Sequence, residues 1–338
     1  MRLAFACAAI GPSVMCGGRF AWSVHRTKVA YPAMARGLKI MAMGLSSRQR
    51  ESVTGLAFVL VWCTGYIAGK EAVVHAGAFG VLVWRFGLSA AIFAGLAVLA
   101  GVRRATWREA LHSALSGVLM LAMQFGGVYW AFVHGAGSGI SALAIGCMPL
   151  LVALVSMATG AERLSRRGWF GLALGVAGVV LVVADRLQPL DSAAAWAGLV
   201  VGLAGIGFGT VYQKRHASHL DSRMGLAIQN AAATLALLPL ALHEGSLMQA
   251  VSPASAGPLA WLVLVNSVGG FTLLFVLIRH GAASAVASLF FLMPPVTAIF
   301  GLAWFGESLT PAKLAGFALS AFGVWLATRA ASAMPARR

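Results

Sequence analysis

The chain has 338 residues, 60% of them apolar and 10% charged, and its 25 Lys and Arg against 9 Asp and Glu leave it at +16. A soluble domain carries roughly 25% charged residues, so this composition excludes a water-soluble globule, a disordered tail and a collagen-like fibre. Nor does the charge indicate nucleic acid as a partner: it falls in short clusters between long apolar runs, as topology signals at a membrane surface do.

The first 47 residues hold six basic residues and no acid, and their apolar start from Leu3 to Ile10 is broken by Gly11-Pro12. We expect residues 1–47 to be a leader outside the folded unit. It reads either as a weak targeting segment or as sequence upstream of a true start at Met41 or Met43. The second is preferred, because a cleaved signal is redundant before a span that inserts by itself.

Ten segments then follow that are long and apolar enough to cross a hydrocarbon core of roughly 30 Å as helices: 53–70, 79–100, 110–133, 137–159, 168–184, 194–213, 223–242, 257–278, 282–304 and 312–330. They lack the strict alternation of barrel strands, and in lipid every backbone polar group must be paired within the segment, so helices are expected. With the N-terminus in the cytoplasm, thirteen basic residues fall on inner joins and the tail, from Arg103, Arg104 and Arg108 to Arg337 and Arg338. Only Lys70, Arg186 and Lys313 fall on outer ones. Both termini are therefore expected in the cytoplasm, with the protein multi-pass in a bacterial inner membrane.

The second half repeats the first. A slide of 145 positions aligns Met148-Pro149 with Met293-Pro294, Glu162 with Glu307, Gly171 with Gly316 and Gly178-Val179 with Gly323-Val324. The unit holds five spans, and an odd number forces the second copy to enter from the opposite side. The expected fold is an all-α integral membrane protein of ten transmembrane helices in two inverted five-helix repeats, 52–184 and 194–330, with a basic tail at 331–338. Such repeats provide two near-equivalent conformations, one open to each side, around a site near the midplane. Pro149, and Pro294 with Pro295, recur at one repeat position, where each removes a helix hydrogen bond; they are candidate bends for gating. Glycines at three- and four-residue spacing, such as Gly171, Gly175 and Gly178, read as close helix packing, which leaves room for a homo-oligomer without requiring one.

The stretch Trp62-Cys63-Thr64-Gly65-Tyr66-Ile67-Ala68-Gly69-Lys70 is similar to the Trp-Gly-Ser-Asn-Phe-x-x-x-Lys of the EamA family of the drug/metabolite transporter superfamily, and Trp84-Arg85-Phe86 resembles that family's Arg-Phe. Each half then carries a proline-bearing helix, a Glu-x-Leu-[Ser/Thr] turn (Glu162 to Ser165, Glu307 to Thr310) and a glycine-spaced last helix. The resemblance spans about residues 52–330. It implies a secondary transporter of small metabolites, often amino acids or related compounds and xenobiotics, usually outward across the bacterial inner membrane. Gly65 departs from the pattern by standing where many members have Asn.

Polar residues inside spans are costly in lipid and therefore informative. All nine acids fall at or near span ends, so no buried carboxylate relay is expected; Glu71 beside Lys70 is the nearest candidate for proton coupling, but an interfacial ion pair is the preferred reading. Arg85 is the one basic residue placed within a span; it either reaches polar partners on neighbouring helices or attracts an anionic substrate group. The candidate substrate-binding residues are Trp62, Tyr66, Arg85, Gln124, Tyr129, Tyr212, Asn266 and Ser267, a set of aromatic and hydrogen-bonding groups suited to a small-molecule solute. For Gln124 and Asn266 the competing role is helix-to-helix glue, and for Tyr66 and Tyr129 an interfacial belt. His134 and His280 share a repeat position but fall on opposite faces, so they read as turn residues. Cys63 and Cys147 lie within spans, without CxxC pairs or zinc-ligand spacing, so no metal, cofactor or disulfide is expected. A membrane-embedded enzyme is the competing class, but neither GxSxG nor HExxH occurs, and the chain is not expected to be an enzyme. A non-transporting membrane scaffold is the other; it predicts no central polar cavity.

Overall fold

A computed structural model of the chain describes residues 47–158, 166–184, 192–217, 220–271, 273 and 292–332. Residues 1–46 of the expected leader, the Glu162 turn, His280, the start of the ninth expected span and the last residues of the tail lie outside the described residues. Everything described is helix or short connection, with no strand among it.

Helices α1 (Ser47–His75) and α2 (Ala78–Leu99) are joined by a two-residue turn. The third span starts as α3 (Trp107–Gly117), widens into a π-helical turn at Val118–Met123 and continues as α4 (Gln124–Val133). A capping box sets its start: the Thr106 hydroxyl accepts from the Glu109 amide and the Glu109 carboxylate accepts from the Thr106 amide, which satisfies two orphan donors of the first turn. The fourth is interrupted at Cys147, between α5 (Ser138–Gly146) and α6 (Met148–Ala158). Helix α7 (Arg166–Ala184) completes the first repeat.

The second repeat runs through α8 (Ala193–His216), α9 (Ser222–Glu244), α10 (Pro253–Ala260) leading into a π-helical run at Trp261–Gly269, α11 (Met293–Phe305) and α12 (Pro311–Ser332). Five of the helical stretches are long and apolar enough to cross a membrane: Val53–His75, Ala78–Leu99, Trp107–Val133, Ala193–Gln213 and Ser222–Glu244. Large apolar side chains such as Val98, Phe170, Leu235 and Trp304 face outward, as lipid-facing residues do.

The proline positions are helix starts rather than mid-helix kinks. Pro149 is the second residue of α6, and Pro294 and Pro295 follow Met293 at the start of α11. In a first turn the missing proline N–H is one that the helix would leave unpaired anyway.

Packing follows the repeat. The pairs α2 with α9 and α7 with α12, each joining one helix to its own repeat copy, make extensive contact, and α8 against the Val118–Met123 turn is matched by α1 against the Trp261–Gly269 run. The π-helical turns obey the same slide, since 118 to 123 maps to 263 to 268. Apolar side chains gain little by leaving lipid for one another, so close backbone approach has to hold such a bundle. At the α7–α12 crossing a Cβ on Gly178 would lie 2.4 Å from the Ser320 nitrogen and 2.6 Å from the Gly316 carbonyl oxygen. One on its repeat copy Gly323 would lie 2.2 Å from the Gly175 nitrogen. No residue but glycine fits either place without parting the helices.

Candidate functional site

Arg85 is the centre of the site. It occupies the third turn of α2 and is only 3% exposed, so a guanidinium is held inside the bundle. Its Nη1 donates to the Tyr129 hydroxyl at 3.0 Å and its Nη2 to Asn266 Oδ1 at 2.7 Å, while the Phe125 ring lies 4.4 Å from the guanidinium carbon. Its Nε–H has no hydrogen-bond partner among the described residues. None of these neighbours is an acid.

Two glycines on α1 make this arrangement fit. A Cβ on Gly65 would fall 2.4 Å from Asn266 Nδ2, and one on Gly69, a turn further, 2.5 Å from the Tyr129 hydroxyl. The notch they leave admits both partners of Arg85. Asn266 also donates from Nδ2 to the carbonyls of Val61 at 3.2 Å and Trp62 at 3.3 Å, where the one-residue advance of the π-helical run brings it against α1. An amide thus does occupy the neighbourhood of position 65, but it arrives from the second repeat.

Beside Arg85 lies a cavity with about 70 Å³ of room for water centres, enough for several waters where one needs roughly 10–15 Å³. Trp62, Arg85, Gln124 and Phe125 line it from the first repeat, and Gln229, Asn230, Asn266, Ser267 and Phe271 from the second. It extends to Ala217, Leu220 and Ser222 at the turn between α8 and α9. A smaller pocket continues it past Gly65, Tyr66 and Tyr129. Gln124 is buried with no side-chain hydrogen bond among the described residues, whereas Asn230 donates to the Leu226 carbonyl at 2.8 Å and keeps its oxygen unspent.

The structure therefore gathers Trp62, Tyr66, Arg85, Gln124, Tyr129, Asn266 and Ser267 around one space. Tyr212 stands apart: its hydroxyl meets His112 Nδ1 at 2.7 Å, beside the His216 ring, and it does not line the cavity. Tyr129 is 1% exposed, which places it in the core and not in an interfacial belt. His134 closes α4, its ring nitrogen 2.8 Å from the Trp130 carbonyl. Phe125 and Asn230 are site residues that sequence reasoning missed; a phenylalanine beside Gln124 and an amide two turns into α9 carry no signal apart from their neighbours.

The far end of the bundle is tied by two carboxylates. Glu307, between α11 and α12, pairs with Lys70 at the end of α1 and accepts from the Ser138 amide at 2.9 Å and hydroxyl at 3.0 Å. Lys70 thus pairs with Glu307 and not with its neighbour Glu71, which faces His75 at 3.5 Å and accepts from Trp304 Nε1 at 3.2 Å. Burial pushes the Glu307 carboxyl up, but the hydrogen bonds from Lys70 and Ser138 outweigh it and hold the group below its ordinary range. Glu244 caps α2 from the other repeat, accepting from the Ala78 and Phe79 amides at 2.9 Å each, where α2 has no cap of its own.

A profile of the EamA-like transporter family matches residues 50–184 and, separately, 193–329, so two copies of one unit fill most of the chain. The chain belongs to the EamA-like transporter family. This EamA-like protein is 25% identical over 285 residues to the uncharacterized inner membrane transporter YedA of Escherichia coli K12, covering 83% of this chain and 91% of that one. It is 27% identical over 276 residues to a probable terminal-alkyne amino-acid exporter of Streptantibioticus cattleyicolor, covering 80% and 91%. A solved crystal structure covering 84% of this chain and 98% of its own superposes with a TM-score of 0.59 at 20% identity, which shows the shared fold. The EamA-like protein is a membrane transporter, and its two matched units are the two repeats of the fold.

Proposed function

We propose that this transporter exports small metabolites, amino acids or related compounds, across a bacterial inner membrane by alternating access between its two inverted repeats. The observation that carries the reading is the cavity: both repeats line it, it reaches the α8–α9 turn, and the opposite end is tied by Lys70, Glu307 and Ser138. A site between inverted repeats, closed at one end, is one of the two states that alternating access requires. The bias of basic residues assigns the α8–α9 turn, with Lys214, Arg215 and Arg223, to the cytoplasmic side, which makes this an inward-facing state with both termini in the cytoplasm. Export also accords with the Streptantibioticus relative, a probable terminal-alkyne amino-acid exporter.

Trp62, Tyr66, Arg85, Gln124, Tyr129, Asn266 and Ser267 form the substrate site on this reading, and the break before Pro149 and the helix start at Pro294-Pro295 are the places that move. Purified protein in vesicles loaded with labelled amino acids and related metabolites tests it. Release above that of equally loaded, protein-free vesicles, lost on Gln124→Ala, is expected; folded protein that moves no compound of the library would sink the proposal.

A further inference from the structure

We infer that the cavity selects solutes bearing a carboxylate, with Arg85 as the group that receives it. The inference rests on the transport reading above and names the substrate class of that same site. A guanidinium carries five N–H donors, and neutral acceptors on Tyr129 and Asn266 engage two nitrogens with one bond each. That leaves donors over, the Nε–H among them.

The charge is also unbalanced. Among the described residues no Asp, Glu, Lys or second Arg lines the cavity, so the formal charge they bring to it is that of Arg85. A buried charge facing neutral dipoles and an aromatic ring is costly, and an anion in the cavity would remove that cost. Carboxylate matches guanidinium in planar, two-point geometry, and the pair is stronger than either group makes with a neutral partner.

The remainder of the lining sets what else the solute carries. Trp62, Phe125 and Phe271 offer ring surface for an apolar body, and the unspent oxygens of Gln124 and Asn230 accept from an amine or hydroxyl. An uncharged solute leaves Arg85 unbalanced, and a cation without a carboxylate adds like charge beside it. The site therefore favours monocarboxylates and zwitterionic amino acids over amides and amines of the same shape.

The test compares matched probes in proteoliposomes of the full chain: phenylacetate against phenylacetamide, and L-phenylalanine against L-phenylalaninamide. Each acid is expected to move about tenfold faster than its amide. Arg85→Gln is expected to abolish the preference and Arg85→Lys to retain part of it. Because Arg85→Gln removes two buried hydrogen bonds and the variant can fail to fold, the acid-to-amide ratio of the unaltered protein decides alone. Equal rates for acid and amide overturn the carboxylate assignment and leave the transporter reading standing. Folded protein that moves none of the four probes overturns the assignment, and failure across the wider metabolite library as well brings down the transport reading with it.

Discussion

Lys70 at the end of α1 and Glu307 between α11 and α12 stand 237 positions apart in the chain and form an ion pair, with Ser138 of α5 held to the same carboxylate. One acid on the α11–α12 connection thereby ties α1 and α5 of the first repeat to the second at one end of the bundle. The pair is about four-fifths buried on each side, so it is worth more than an exposed ion pair, and removing one partner leaves the other without its counter-charge. Glu307→Gln is expected to lower stability by about 1–3 kcal/mol, as loss of a partly buried charged hydrogen bond does, read as a fall in melting temperature in detergent.

The pH dependence of that tie follows from the direction of the Glu307 shift. Its folded-state value lies below the ordinary carboxylate one, so the stabilisation is present at neutral pH and is lost only as pH falls through the lowered value. Ala136, fully buried beside Ser138, reports on it. A cysteine at 136 is expected to resist a membrane-impermeant maleimide equally at neutral and mildly acidic pH in the unaltered chain. With Glu307→Gln it should label faster at both; labelling that rises in mild acid without the substitution would contradict the assigned direction.

The 145-residue slide that maps Glu162 onto Glu307 maps Lys70 onto Arg215. Under alternating access the two acids serve opposite ends, so their loss should bias the conformational balance in opposite senses. Glu307→Gln is expected to raise, and Glu162→Gln to lower, the labelling of the cysteine at 136. A change of the same sign in both would speak against the inverted-repeat mechanism.

Gly65 and Asn266 compete for one volume, because a Cβ at 65 falls 2.4 Å from the Asn266 amide. Gly65→Asn is expected to cost about 1–3 kcal/mol, as over-packing does, and to depress transport. Combining it with Asn266→Ala should recover part of the stability, since the two changes share one contact. Additive losses in a double-mutant cycle would disprove the steric link.

At the α7–α12 crossing the obstructing atoms are backbone, which cannot rotate away. Gly178→Ala and Gly323→Ala are each expected to destabilise by about 1–3 kcal/mol, whereas Gly257→Ala, with open space around it, should be neutral. Melting in detergent separates the two classes. For transport, Tyr212→Phe is expected to cost less than Gln124→Ala, because Tyr212 faces His112 and Gln124 faces the cavity.

Much of this molecule is legible one segment at a time. Transfer into lipid is a property of each apolar run, and attraction to the cytoplasmic face is a property of each basic cluster, so spans, repeat, family and the isolation of Arg85 all follow from residues in order. What a side chain meets is another matter. Lipid is as apolar as the residues it surrounds and exerts little pull on which face of a helix turns inward, so that rotation is settled by where small residues let backbones touch and where polar groups find partners. Only the assembled bundle decided that Lys70 belongs to Glu307 and not to Glu71, that Tyr129 lies in the core, and that Tyr212 stands outside the cavity. The same packing brings the Asn266 amide from the second repeat to the place beside Gly65, because a π-helical run advances it and a missing Cβ admits it.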